Sequence, residues 1–351
     1  MSPGPEFYPT AAFDYELPAD RIARYPAQRR DESRLLVLHR DTGALEHRVF
    51  RDIAELIPPG DALVLNETRV FPARLIGRRP SGAEAEVLLL HPHVETSDRD
   101  WTALVRPGAK LKPGRTIEVG DDLSVEILDV LEGGVRVVRL HSKQDVEQAI
   151  AKYGRIPLPP YLEREAEAED IERYQTVYAR ERGSVAAPTA GLHFTAPLLA
   201  RIEANGVKLV RIVLHVGVGT FRPVEVEDPE QHAMHAEHYA VSEAAARELN
   251  EVRAAGGRIW AVGTTVVRTL ETVADANGVI HAGTGWTQIF IRPPYSFKAV
   301  DRLITNFHLP RSTLLMLVCA FGGYDHVMAA YRTAVEAGYR FYSYGDAMVI
   351  L

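Results

Sequence analysis

The sequence predicts an α/β protein: a larger mixed α/β domain with an inserted small β-barrel domain. Three observations carry that expectation. The chain has 351 residues, about twice the ~150 typical of one domain. Between about Asp61 and Leu140, short apolar runs recur at close spacing. Polar turns such as Pro80-Ser81-Gly82, Lys112-Pro113-Gly114 and Glu132-Gly133-Gly134 separate them, a texture that suits a small barrel or sandwich. Beyond residue 145, helical and strand patterns alternate, as in an α/β layer arrangement.

The first sixty residues share the α/β character, with a strand at 35–39. A discontinuous layout follows: residues 1–65 and 150–351 form the α/β catalytic domain, and 66–149 form the inserted barrel. A tandem of two continuous domains is the alternative. Strand-like runs at 62–65, 85–90, 101–105, 116–119, 123–128 and 134–140 fill the β-rich segment. Residues 145–153 read as a short helix stopped by Gly154. The acidic stretch 163–173 reads as a solvated loop or helix face. Thr195 can cap a helix that ends at Asn205-Gly206, and a strand at 207–216 follows. Ser242 can cap a helix over 243–255. Next come a strand at 258–262, a helix near 266–274 and a strand at 287–291. Ser312 or Thr313 can cap an apolar helix through Phe321, and an amphipathic helix spans 324–337.

Composition narrows the function classes. Lys and Arg number 40 against 47 Asp and Glu, a net charge of −7. Such a chain is no bulk electrostatic nucleic-acid binder, although a local basic patch remains open to it. The single cysteine, Cys319, excludes an intrachain disulfide and reads as a packed core thiol. Its apolar run, 314–321, is shorter than the ~20 residues a membrane span needs. The first ten residues lack a basic stretch followed by an apolar core, so a cytoplasmic protein is expected.

Six constellations could carry chemistry. The small-residue loop 185–195 contains Thr189, Gly191 and His193 and ends at a helix start, which offers free N–H groups to an anion. A tight loop with a hydrogen-bonded histidine explains it equally. The run 214–223 places His215, Gly217, Gly219, Thr220 and Phe221 where a strand emerges into a loop, a usual ligand-facing edge. It has no third glycine opening a helix, so it is not a dinucleotide fingerprint. Gly263-Thr264-Thr265, with Arg268 one turn on, would cradle a carboxylate or phosphate; a capped helix with a structural ion pair is the alternative. His232, His235 and His238, with Glu237, invite a metal hypothesis, but His-Glu-x-x-His is absent and a polar loop fits too. Thr305-Asn306-Phe307-His308 joins a strand to an apolar helix and could face an adenine, or simply bury Phe307. Asn66-Glu67-Thr68-Arg69 through Arg74, with further Arg and Lys in the insert, is locally basic. It reads as an RNA footprint or as an ordinary solvated barrel face.

Taken in order along the chain, these segments resemble one family. The carrying stretches include Phe13-Asp14-Tyr15-Glu16-Leu17-Pro18, Asn66-Glu67-Thr68-Arg69-Val70, Leu158-Pro159-Pro160-Tyr161 and Tyr174-Gln175-Thr176-Val177-Tyr178. They continue with 185–194, 214–221, Gly263-Thr264-Thr265, Thr305-Asn306-Phe307-His308-Leu309-Pro310 and Tyr344-Gly345-Asp346-Ala347-Met348. The chain resembles the S-adenosylmethionine:tRNA ribosyltransferase-isomerases of queuosine biosynthesis. Glu67 stands where that family usually has Asn or Asp, and Val218 where Ala is usual.

The resemblance implies transfer and isomerisation of the ribosyl group of S-adenosylmethionine onto a 7-aminomethyl-7-deazaguanine base at the wobble position of a tRNA with a GUN anticodon. Epoxyqueuosine-tRNA forms, and methionine and adenine leave. S-adenosylmethionine is the co-substrate and no metal is expected. Neither is a membrane, and the protein would be a monomer or weak oligomer. On this reading His193 is the first candidate for the base that acts at C5′, its pKa tuned near 7, and His215 the second. Gly263, Thr264, Thr265 and Arg268 would hold the methionine carboxylate. Thr189 and Gly191, with Gly217, Gly219, Thr220 and Phe221, would border the nucleoside. Asn306 and His308 would bind adenine and protonate it. Asn66, Glu67, Thr68, Arg69 and Arg74 would meet the tRNA base or backbone. The alternatives are a metal-dependent hydrolase using His232, His235 and His238, and a non-catalytic RNA-binding module.

Overall fold

A computed structural model describes residues 7–93, 97–217, 219 and 223–351. The chain first lays down β1 (Arg34–Leu38), β2 (Leu45–Val49), a one-turn helix α1 (Ile53–Leu56), β3 (Ala62–Asn66) and β4 (Thr68–Val70). Six strands then follow: β5 (Arg74–Arg78), β6 (Glu84–Pro92), β7 (Asp100–Arg106), β8 (Thr116–Gly120), β9 (Leu123–Val130) and β10 (Arg136–Ser142). After α2 (Val146–Tyr153), α3 (Asp170–Arg173) and β11 (Glu181–Ser184), helices and strands alternate. They run α4 (Ala196–Ala204), β12 (Lys208–Leu214), β13 (Glu237–Val241), α5 (Glu243–Ala254), β14 (Ile259–Val262), α6 (Thr264–Val273), β15 (Gly283–Thr287) and β16 (Arg302–Asn306). The last three are α7 (Thr313–Gly322), α8 (Tyr324–Glu336) and β17 (Ala347–Ile350).

Among the described residues these strands make a nine-stranded mixed sheet, a closed six-stranded barrel and a β4–β11 pair. The mixed α/β body with a small barrel is the fold class expected from the sequence. The barrel runs β10-β7-β6-β5-β8-β9. Its strands alternate: Leu123, Val125 and Ile127 of β9 point inward with Val87, Leu89, Ile117 and Val138, as the period of two requires.

The large sheet has the order β15-β13-β12-β3-β14-β16-β17-β1-β2. Its centre is parallel: β12 and β14 both pair with β3, and β16 pairs with β14. β3 is buried along its whole length, as an unbroken apolar run covered on both faces must be. Val64, Ala261 and Leu303 face one core with α6 and α7; Leu63, Leu65, Trp260 and Ile304 face another with α4. Asp61, itself buried, staples the start of this ladder by accepting from Arg258 N at 2.9 Å and Trp260 Nε1 at 2.7 Å. After β12 the chain crosses to the far side of β3 to lay down β14. The carboxyl ends of the strands beside such a crossover are a usual place for a ligand in these sheets.

Local signals held at the helix starts. Asp145, Thr195, Ser242 and Ser312 accept from backbone N–H groups as caps of α2, α4, α5 and α7. Several expectations need correction. The run 62–65, read together with the strands of the insert, is β3 at the heart of the large sheet. The strand placed at 287–291 lies at Gly283–Thr287 instead, because the Thr287 hydroxyl accepts from Ile289 N and turns the chain away. Residues 237–241, grouped with a metal site or polar loop, form β13. Asp170 in the acidic stretch is buried, clamped by both terminal nitrogens of Arg164 at 2.6 and 2.8 Å. Among the described residues no single helix is long and apolar enough to cross a bilayer; α7 and α8 pass together only as a pair bent by 116°.

Candidate active site

The carboxyl ends of β14 and β16 deliver two of the singled-out segments to one cleft. Gly263, Thr264 and Thr265 form one wall, Asn306 and His308 another, and Thr189 a third, with Tyr161, Val216, Ser312, Tyr342 and Ser343 completing it. The lining is otherwise small and apolar: Ala187, Pro188, Ala190, Leu309 and Leu314. Gly263 has φ +90°, a conformation that disfavours a side chain. It lets β14 turn at once into α6, so the first N–H groups of that helix lie at the cleft. The Thr265 hydroxyl is buried there, unpartnered among the described residues.

Asn306 is the best-defined group in the site. Its Nδ2 donates to Nε2 of His193 at 3.1 Å and to the carbonyl of Tyr342 at 3.1 Å. Both amide hydrogens are thereby used. Tyr342 holds that carbonyl with φ +71°, a strained conformation for a bulky residue and one that clusters at functional sites. The remaining atom, Asn306 Oδ1, is buried and unpartnered among the described residues. The cleft therefore meets an acceptor with no partner of its own.

His193 lies behind Asn306 rather than in the cleft. It is 4% exposed and stacks on Phe50 at 4.9 Å. Because Nε2 accepts from Asn306, Nδ1 carries the hydrogen and donates to Ser33 Oγ at 2.7 Å. Ser33 in turn donates to the Arg30 carbonyl at 3.3 Å. Burial, then the charges of Arg340 and Arg30, lower the ring's pKa to about 3. The expected tuning near 7 is not what this environment produces: the ring is neutral at pH 7. His308 does line the cleft, bonded through Nε2 to Thr305 Oγ1 at 2.7 Å, and burial lowers its pKa to about 3 as well. It meets a ligand as a neutral imidazole, not as a stored proton.

Arg268 does not reach the cleft. From the second turn of α6 it pairs with Glu237 of β13, both buried, beside a smaller hollow that shares Leu314 with the cleft and also contains Gly219. Glu237 Oε1 also accepts from Gly217 N at 3.0 Å, which ties the loop after β12 to α6. Nε and Nη2 of Arg268 are buried and unpartnered among the described residues. Gly191 packs inside the fold, where a Cβ would collide with the Tyr178 hydroxyl. Thr220 and Phe221 lie outside the described residues.

His215 faces a separate, wider groove between the barrel and the sheet, together with Gly217 and Gly219. Its Nδ1 bonds Thr68 Oγ1 at 2.8 Å, and burial, with a smaller contribution from His238, lowers its pKa to about 4. Asn66, expected to meet the base, is committed to structure. Its Nδ2 donates to Leu214 O, and its Oδ1 accepts from Leu214 N and Thr68 N, extending the β3–β12 ladder. Glu67 turns toward Arg211 at 3.8 Å, and burial raises its carboxyl pKa. Arg74 is held by Glu86 at 3.0 Å and Glu165 at 3.3 Å. Arg69 is exposed, makes no ion pair among the described residues, and borders a hollow with Arg155 and Arg182.

The metal reading finds no geometry to support it. His232 packs on Phe290 at 5.7 Å, and His238 stacks on His215 at 5.7 Å. Among the described residues no three His, Cys, Asp or Glu side chains gather as ligands. Reading the sequence missed Ser33, Tyr342, Ser343 and the Glu237–Arg268 pair as parts of the site. The clues were slight: Tyr161 and Tyr344 lay in stretches that carried the resemblance, next to unremarked neighbours.

The family model for queuosine biosynthesis proteins matches residues 10–350. The chain belongs to that family. A member from Symbiobacterium thermophilum, named S-adenosylmethionine:tRNA ribosyltransferase-isomerase, is 58% identical over 342 residues, 97% of this chain and 98% of that protein. One of the same name from Moorella thermoacetica is 56% identical over 342 residues, with the same shares. The crystal structure of an S-adenosylmethionine tRNA ribosyltransferase from Thermotoga maritima superposes with a TM-score of 0.56 at 42% identity, covering 97% of this chain and 100% of that one. The match runs through both the barrel and the sheet, so family membership covers the whole cleft.

Proposed function

We propose that this protein is an S-adenosylmethionine:tRNA ribosyltransferase-isomerase. It transfers and isomerises the ribosyl group of S-adenosylmethionine onto the 7-aminomethyl-7-deazaguanine wobble base of a GUN-anticodon tRNA, and releases methionine and adenine. The observation that supports this most is near-full-length similarity to relatives of that name, over a cleft that suits the co-substrate.

The fit rests on orphaned polar atoms. S-adenosylmethionine carries N–H donors at its adenine and its ammonium, a carboxylate, and a cationic sulfur. Asn306 Oδ1 accepts from one of those donors, and its orientation is set by His193 and Tyr342. The α6 N-terminus and the Thr265 hydroxyl bind the carboxylate, where the helix dipole favours negative charge. Ala187, Pro188, Val216 and Leu314 exclude water, which strengthens each of these contacts. His308 donates a hydrogen bond to the departing adenine. His193 positions Asn306 and does not itself abstract a proton. Arg69 contributes one phosphate contact on the RNA side. The α/β body, 1–65 and 150–351, and the inserted barrel, 66–149, act as two sides of one RNA-binding groove. The protein works in the cytoplasm as a monomer or weak oligomer.

The test is adenine release. Purified protein mixed with S-adenosylmethionine and tRNA bearing the aminomethyl-deazaguanine should free one adenine per modified tRNA. A protein that binds this tRNA yet releases no adenine would refute the proposal.

A further inference from the structure

Strand register carries a row of aromatic rings outward from the end of β12. Leu214 lies opposite Tyr239 of β13, and His215 N donates to His238 O at 2.8 Å, so His215 and His238 are neighbours. β13 pairs next with β15, placing His238 opposite Trp286. Residues directly opposite share one face of a sheet. The centroids step 5.7 Å from His215 to His238, 5.4 Å to Trp286, and 5.1 Å on to His91 of barrel strand β6. This row lines the wide groove between barrel and sheet, and Val216 walls both that groove and the cleft.

Trp286 is 53% exposed, whereas Trp101 and Trp260 are 8% and 1% exposed. A half-exposed tryptophan in a concave groove, flanked by edge-on imidazoles, is a stacking surface in search of a flat partner. The two inner rings are neutral at pH 7, since burial lowers both His215 and His238. They bring ring faces without added charge. At the inner end the groove meets the smaller hollow beside the buried Glu237–Arg268 pair.

We propose that this row seats the extruded wobble nucleotide, with Trp286 as its outer stacking plate. The inference rests on the tRNA reading above and adds where the base lies and what holds it. An anticodon-loop base gives up little pairing when it leaves its stack, and stacking on an aromatic ring recovers much of what it loses.

The test uses the full-length enzyme and an anticodon stem-loop carrying 7-aminomethyl-7-deazaguanine. Trp286→Ala should raise KM for that RNA roughly ten-fold or more, while the affinity for S-adenosylmethionine alone holds. Trp286→Phe should recover most of the RNA affinity. Because Trp286 is the exposed tryptophan, the RNA should quench the wild type's fluorescence, and the quench should vanish in Trp286→Phe. Unchanged KM for RNA in Trp286→Ala, with adenine release intact, would overturn this inference and leave the proposed function standing. The same quench in Trp286→Phe as in the wild type would also overturn it. No adenine release by the wild type would overturn both.

Discussion

Replacing His193 by phenylalanine separates a neutral, buried positioning residue from a base poised near pH 7. The ring at this position stacks on Phe50 at 4.9 Å, and phenylalanine keeps that stacking while removing the titration. In the wild type, burial and the charges of Arg340 and Arg30 lower the ring's pKa from 6.5 to about 3. The folded state then binds the proton less readily than the unfolded chain. The ring's neutrality costs nothing above the unfolded pKa, and stability drains away as pH falls from there toward the folded pKa. The slope approaches 1.36 kcal/mol per pH unit. At about pH 5, some 1.5 units below the unfolded pKa, this one histidine costs about 2 kcal/mol relative to pH 7.5. Urea unfolding at the two pH values measures it. His193→Phe is less stable at both, since Asn306 and Ser33 each lose a partner, but its loss between pH 7.5 and pH 5 should be smaller by about 2 kcal/mol. Equal losses in variant and wild type would refute the reasoning and return His193 to the role of a titrating base.

Kinetics give the same distinction independently. A ring with its pKa near 3 contributes no limb to the rate profile between pH 6 and 8. His193→Phe should therefore turn over slowly, because the Asn306 amide is free to rotate, yet keep the wild-type shape of kcat/KM against pH. A profile that loses an acid limb on substitution would show that the histidine had been exchanging protons with substrate.

Asn306→Ala removes the acceptor from the cleft and should raise KM for S-adenosylmethionine about five-fold, the scale of one net hydrogen bond, as read by initial rates. Breaking the buried Glu237–Arg268 pair with Arg268→Met should destabilise the fold by about 3–5 kcal/mol in urea, and pairing it with Glu237→Leu should restore much of that. Arg69→Ala should lower the salt slope of tRNA binding by about one unit, measured by filter binding across ionic strength. Arg74→Ala should change it less, because Glu86 and Glu165 already neutralise that guanidinium.

Local signals in the sequence translated into structure wherever the physics is local. An unbroken Ala62-Leu63-Val64-Leu65 run became a doubly covered strand, and Thr195, Ser242 and Ser312 capped the helices they precede. Gly263 marked a strand-to-helix turn because its φ restricts the residue type. The cleft residues Thr189, Thr264, Thr265, Asn306 and His308 were readable for the same reason: each stands at a strand end or helix start, where backbone groups run out of partners. What stayed hidden depends on pairing between distant segments. Ser33 and His193 are 160 residues apart and Arg268 and Glu237 are 31 apart, and no periodicity connects either pair.

The histidine cluster shows how such hidden pairing redirects chemistry. His232, His235 and His238 are three apart, which in a flexible loop would allow their imidazoles to converge. Once 237–241 is a strand, residue 238 faces the opposite side from Glu237. The side it faces is set by its partners on β12 and β15, His215 and Trp286. The same register that prevents a three-histidine metal site builds the aromatic row, and it leaves Glu237 on the other face to meet Arg268 and the Gly217 backbone. A one-residue slip of β13 would exchange these two faces, burying His238 against Arg268 and turning Glu237 toward the tryptophan. The buried charge pair opposes that slip, because Arg268 would then be left in the interior without its carboxylate. The Glu237–Arg268 pair thus fixes the register on which both the cleft's loop and the proposed base platform depend.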